Sequence, residues 1–198
     1  MPGGPTFDEG QLLYLSAREA WRAWLQEHYR SAREAWLVSY KVHTGKPSIP
    51  YNDQVEEALS FGWIDSIGRR LDDDRFARRF TPRRPGSPYS EANKARLRAL
   101  VREGRVMPDV LETLGEVLEE SEAATAFEIP DDVAAALKAS PPAWENLQGF
   151  SPAYVQIRIG YVEGARNRPE EFERRMRHFV AMTAKGRQFG YGGIEKHY

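Results

Sequence analysis

Residues 61–87 read FGWIDSIGRRLDDDRFARRFTPRRPGS, and the fold turns on how this stretch is understood. Trp63 to Leu71 and Arg75 to Thr81 are two extended runs joined by the acidic turn Asp72–Asp74, the pattern of a hairpin. Gly62 ends a preceding helix in which Val55, Ala58 and Leu59 form an apolar stripe and Asn52 is the expected cap. Further back, SAREAW occurs at 16–21 and again at 31–36, each time with Ser and Glu at capping-box spacing. The first copy continues with Trp21, Trp24, Leu25 and His28 at helical spacing. The second runs into WLVSYKV, where Trp36, Val38, Tyr40 and Val42 alternate with Leu37, Ser39 and Lys41, so a strand with one buried face is expected rather than a structural repeat. His43–Lys46 is read as a turn and Pro47–Tyr51 as a short edge strand.

Downstream, the pattern becomes helical. Ser90 caps a helix stopped by Gly104; Pro108, Pro130, Ser151-Pro152 and Pro169 open others, and Pro141-Pro142 is a break and a potential hinge. The fold class read from this order is α+β. A small antiparallel sheet with helices occupies residues 1–105, a helical domain follows over 106–186, and a glycine-rich tail expected to be flexible covers 187–198.

Composition bounds the function. The chain has 198 residues with 41 % hydrophobic and 12 % aromatic content, enough for a sizeable core. With no cysteine, disulfides, thiolate nucleophiles and cysteine-bound metals are excluded. No signal-peptide pattern opens MPGGPTFDEGQLLYL and no apolar run reaches membrane-spanning length, which gives a cytoplasmic reading without a membrane span. The formal net charge of −1 conceals a segregation: seven arginines against three aspartates over 66–84, and three cations against eleven acids over 101–145. That pattern suits either an anionic ligand near the arginines or mutual attraction between the two segments, including the acidic helices at 109–122.

Familiar catalytic signatures are missing, and the four histidines are isolated, so neither a metal nor a cofactor is expected. Glu56 and Glu57 are consecutive on a helix and point apart, Glu57 toward the Gly62-Trp63 junction and Glu56 toward solvent. Asp65 on a half-buried strand face needs a cation, for which Arg83 or Arg84 are candidates, either as a structural ion pair or as a pair facing a ligand. Thr81-Pro82-Arg83-Arg84-Pro85 holds two guanidinium groups on stiff extended backbone just before a helix start, where Ser87, Ser90 and Asn93 add neutral donors. Together with Tyr51 and Trp63 as aromatic walls, these residues form the expected binding site for a small anionic or peptide-like ligand. Two alternatives stay open. One is an enzyme using Asp65 or Glu57 as base with Arg83; the other is a single-stranded nucleic-acid binder using Arg69–Arg84, Arg174, Arg175, Phe76 and Phe80. The acidic middle and a pI near 6.5 argue against nucleic acid.

The succession WRAWL (21–25), WLVSYKVHTG (36–45), YNDQVEEALSFGWIDS (51–66), FTPRRPGS (80–87), SEAN (90–93), GRVMP (104–108) and ARNRPEEFERR (165–175) resembles the YdeI/OmpD-associated, or bacteriocin-protection, family. The chain departs from the family at Ser60, where a cysteine is common, at Tyr89, where a tryptophan is, and at Glu171 and Phe172, which stand for Thr-Arg. The resemblance implies a role in tolerance to bacteriocins or antimicrobial peptides and no established catalytic reaction.

Overall fold

The computed structural model describes residues 12–115 and 127–190. The chain divides into two compact units, Met1–Ser87 with Leu100–Thr113, and Pro88–Ala99 with Leu114–Tyr198. It is α+β, with a sheet and helices in the N-terminal half and, among the described residues, only helices as regular elements in the C-terminal half.

In the first unit, the sheet order is β1 (Leu12–Leu13), β2 (Ala35–Tyr40), β4 (Arg75–Pro82) and β3 (Trp63–Arg70). The short β1 runs parallel to β2, a strand the sequence pattern did not reveal, and the other pairings are antiparallel. The hairpin is present as expected. Its turn is tied by Asp72, which accepts from the Arg75 backbone at 2.7 Å and pairs with its guanidinium at 2.6 Å. The β2 strand departs from the expectation of one buried face. Ala35 through Ser39 are all buried, because Ala35, Leu37 and Ser39 share the face of Phe80, Arg78 and Phe76, while Trp36 and Val38 pack with Ala77, Leu12 and Leu71 on the other. Pro47–Pro50 does not form a strand, although Ser48 Oγ accepts from the Tyr40 amide at 2.7 Å.

Helix α1 (Arg18–His28) buries Trp21 and Leu25, one turn apart, and Trp21 meets Phe80 of β4 at 5.3 Å. Neither SAREAW copy uses its serine as a cap: α1 starts after Ala17, and Ser31 precedes no helix. Helix α2 (Tyr51–Ser60) starts after Pro50, so Asn52 lies inside it rather than capping it. It ends where Gly62 takes φ 72°, and a Cβ at that glycine would stand 3.2 Å from Val110.

Eight of the ten α2 residues are buried, Glu56 and Glu57 among them. A charged helix can be enclosed only if cations come with it. Arg18 supplies three contacts from a single guanidinium: Nε to Glu57 Oε1 at 2.5 Å, Nη2 to Glu56 Oε2 at 2.9 Å and Nη1 to Asp53 Oδ1 at 2.7 Å. Arg22 reaches Glu57 Oε2 at 2.8 Å, and Arg105 closes on Glu57 Oε1 from beyond Gly104. Burial opposes the Arg18 charge, but Glu57, Glu56 and Asp53 outweigh it and hold its pKa above the ordinary arginine value. The expectation that Glu56 faces solvent is therefore wrong. The long Arg18 side chain straddles two neighbouring helical positions, so Glu56 and Glu57 meet the same partner despite pointing apart.

The second unit opens with the start of helix α3 (Glu91–Arg102), whose end belongs to the first. After the four-residue α4 (Pro108–Leu111) of the first unit come α5 (Asp131–Lys138), α6 (Pro141–Gln148), α7 (Pro152–Glu163) and α8 (Pro169–Ala184). The longer helix expected after Pro108 stops at Leu111, and 116–126 lie outside the described residues. Pro141-Pro142 opens α6 instead of hinging the chain, since proline at the first helical positions forfeits no internal hydrogen bond. Ser151 caps α7 by accepting from Tyr154 N at 3.2 Å. Val133, Leu137, Leu147, Tyr154, Ile159 and Phe179 form the core between these helices. Of the expected tail, residues 191–198 lie outside the described ones. No helix among the described residues is long and apolar enough to cross a membrane.

Glu57→Gln, which leaves three guanidinium groups short of their common counter-charge, is expected to cost about 3–5 kcal/mol of stability in denaturant unfolding. A loss under about 1 kcal/mol would contradict the role assigned to this carboxylate. A second expectation concerns pH. Hydrogen bonds from Arg79 and from the Trp36 indole lower the Glu34 pKa. A depressed carboxylate contributes stability that is complete above its ordinary value of 4.5 and fades as pH falls through the folded value. The stability gap between wild type and Glu34→Gln should therefore shrink on acidification below pH 4.5; a constant gap would refute the assignment.

Candidate functional site

The inner face of the hairpin carries the chemistry. Phe76, Arg78 and Phe80 alternate along β4, and their cross-strand neighbours Ser39, Leu37 and Ala35 share that face. Phe80 fills the core, whereas Phe76 and Arg78 line a cleft of about 450 Å³. The cleft is walled by the end of β2, the loop after it and the first turn of α2, with Tyr40, Ile49, Tyr51 and Gln54 among its lining. Lys41 and the fully exposed Val42 stand at its edge.

Three groups organise the polar end. The Arg78 guanidinium stacks on the Tyr51 ring at 4.4 Å and pairs with Asp65 at 3.3 Å. The Tyr51 hydroxyl donates to the same Asp65 oxygen at 2.9 Å. Gln54, 2 % exposed, donates its amide to Ser39 Oγ at 3.0 Å and to the Ile49 carbonyl at 2.7 Å, which fixes the amide's orientation. Its Oε1 is then left buried without a donor, and Arg78 Nε is likewise buried without an acceptor. Two unsatisfied, oppositely polar atoms, an acceptor and a cationic donor, thus belong to residues that line one cleft.

Of the residues expected to form a site, Tyr51 lines this cleft and Asp65 is bonded to two of its lining residues. The Asp65 cation is Arg78, not Arg83 or Arg84. A β-bulge between Asp65 and Gly68 sets the register that leaves Asp65 opposite Phe80 and next to Arg78 on the inner face. Trp63 is no wall: at 1 % exposure its ring packs edge-on to Trp24 at 5.9 Å, and its Nε1 donates to the Tyr29 carbonyl at 3.0 Å. Glu57 is locked among three arginines in the interior and is not free to act as a base. Arg83 donates to the Ser87 carbonyl at 2.6 Å and Ser87 Oγ donates to the Arg84 carbonyl at 2.8 Å, so the proline-braced loop closes on itself through Gly86. Arg84 is exposed on that loop. Ser90 and Asn93 fall in the second unit, where Ser90 Oγ accepts from the Asn93 amide at 3.3 Å and Asn93 Oδ1 accepts from Arg96 at 2.9 Å, both in the first turn of α3.

Most arginines of the basic hairpin have partners within the first unit. Arg70 pairs with Asp73, Arg75 with Asp72, Arg78 with Asp65 and Arg79 with Glu34, while Arg69 lies over the Trp36 ring at 5.8 Å. Phe80 is fully buried, and Arg174 and Arg175 pair with Glu171. Of the acidic stretch at 109–122 that the charge segregation suggested as a partner, Asp109 meets Arg30 at 2.9 Å, and residues 116–122 lie outside the described residues. Among the described residues no group of three His, Asp or Glu could hold a metal ion.

Gln54 and Tyr40 were not singled out as site residues from the sequence, and Phe76 and Arg78 were named only within the nucleic-acid-binding alternative. The alternation of Phe76, Arg78 and Phe80 held a usable signal, because it places one arginine on the same strand face as two rings.

Residues 13–113, just over half of the chain, match the family model described as a domain of unknown function (DUF8412). Residues 126–186 match the model described as "Bacteriocin-protection, YdeI or OmpD-Associated". The motifs from Trp21 to Pro108 thus fall in the first match, and Ala165–Arg175 in the second. Neither a curated protein nor a solved structure matches the chain. The chain belongs to the DUF8412 family through its N-terminal half, and its residues 126–186 match the YdeI/OmpD-associated, bacteriocin-protection model.

Proposed function

We propose that this is a cytoplasmic binding protein acting in tolerance to bacteriocins or antimicrobial peptides, and that it captures a small peptide-like anion in the cleft between Tyr40, Tyr51, Phe76 and Arg78. The observation that carries the reading is the orphaned Gln54 Oε1, buried and oriented, on a cleft that also contains Arg78. A ligand satisfying both groups offers an N–H donor close to a negative charge, which is what the carboxyl end of a peptide offers. Ile49, Pro50 and the aromatic rings provide area for an apolar side chain, and exposed Val42 extends that surface at the rim. The role in tolerance comes from the description of the family model that residues 126–186 match.

The test is calorimetric titration of the full chain with apolar tetrapeptides carrying either a free or an amidated C-terminus. Free-acid peptides should bind, and amidation or Arg78→Met should each weaken binding by roughly tenfold or more, as loss of a charge-assisted hydrogen bond implies. Equal binding of acid and amide, or wild-type affinity in a folded Arg78→Met protein, would remove the site.

A further inference from the structure

Within the second unit, Arg158 on α7 is 7 % exposed, and among the described residues no acid pairs with it. Its Nε is buried without an acceptor. The guanidinium instead lies between two rings, 5.6 Å from Tyr154 and 5.4 Å from Phe189. That arrangement is held from several sides. The Phe189 amide donates to Tyr154 Oη at 3.1 Å, His178 packs edge-on to Phe189 at 4.6 Å, and Phe150 packs edge-on to Tyr154 at 5.2 Å.

Ring faces attract the charge but accept none of the N–H donors that lie in the guanidinium plane. A buried cation in that condition is incomplete, and a planar oxyanion, bound edge to edge, would complete it. Gly190 bears on access. It is exposed and has φ 134°, and a Cβ added there would stand 2.4 Å from Arg158 Nη1 and 3.2 Å from Nη2. The position that would otherwise press a side chain onto the guanidinium is thus held by the one residue type without one.

We propose that Arg158 anchors an oxyanion site in the helical unit, taking a carboxylate or phosphate group in the plane of its guanidinium. The site is independent of the cleft around Arg78, and neither proposal needs the other.

The experiment measures thermal unfolding of the full-length protein titrated with inorganic phosphate, with acetate, and with sodium chloride at matched ionic strength. Phosphate or acetate should raise the midpoint saturably beyond the chloride control, and the better of the two identifies the class of group. Arg158→Gln should abolish the shift. Gly190→Ala, which keeps the cation but crowds it, should weaken apparent affinity by about tenfold or more; this arm decides the matter if Arg158→Gln does not fold. The proposal is overturned if neither anion exceeds chloride, or if a folded Arg158→Gln or Gly190→Ala protein keeps the wild-type shift.

Discussion

The first unit depends on one carboxylate. Glu57 sits in an interior that would not tolerate it alone, and it is tolerated because guanidinium groups from α1 and from the segment after Gly104 converge on its two oxygens. The effective cost of desolvating an ion is several kcal/mol, so these partners are a condition for α2 packing where it does rather than an embellishment of the packing. The condition fixes α1 against α2 and ties the 104–107 segment to the same place, where the Met107 amide also bonds the Ser60 carbonyl at 2.9 Å. Apolar contacts alone could slide; a carboxylate shared by three cations defines a position.

With α2 fixed, its first turn lies over the inner face of β4, and the cleft follows. Tyr51 supplies the face on which Arg78 stacks, and Gln54, one turn later, turns its amide toward Ser39 and Ile49. Helix spacing and strand spacing thus cooperate. The i, i+3 pair Tyr51 and Gln54 meets the i, i+2 pair Phe76 and Arg78. The cleft has a polar end with unsatisfied hydrogen-bonding atoms and apolar walls, which is the division expected of a small-molecule site.

Much of the architecture was legible in the sequence. The hairpin, the helix ending at Gly62, the helices opened by Pro130, Ser151-Pro152 and Pro169, and the α+β class all follow from local spacing and turn chemistry. What was hidden is what depends on distant partners. No local pattern says that Arg18 and Arg105 are destined for a residue at 57, so Glu56 read as a solvated acid and Glu57 as free. Proximity in sequence likewise favoured Arg83 and Arg84 as partners for Asp65, whereas the β-bulge delivers Arg78. Trp63 misled for a related reason: after a glycine and two residues before an aspartate it reads as a surface aromatic, but its indole N–H finds the Tyr29 carbonyl at the end of α1. The residues of the cleft were visible individually and could not be assembled without the pairing of β2 with β4.

The same bulge has a bearing on how this protein coexists with copies of itself. β3 is an edge strand of the sheet, and among the described residues one of its sides has no neighbouring strand. A straight strand there would offer an even row of amides and carbonyls on which a second chain could zip. The extra residue between Asp65 and Gly68 breaks that row midway, and the exposed Arg70 near its end adds a charge that two stacked edges would have to bring together. The irregularity that aligns Asp65 with Arg78 on the inside therefore spoils the outer rim as a template for aggregation.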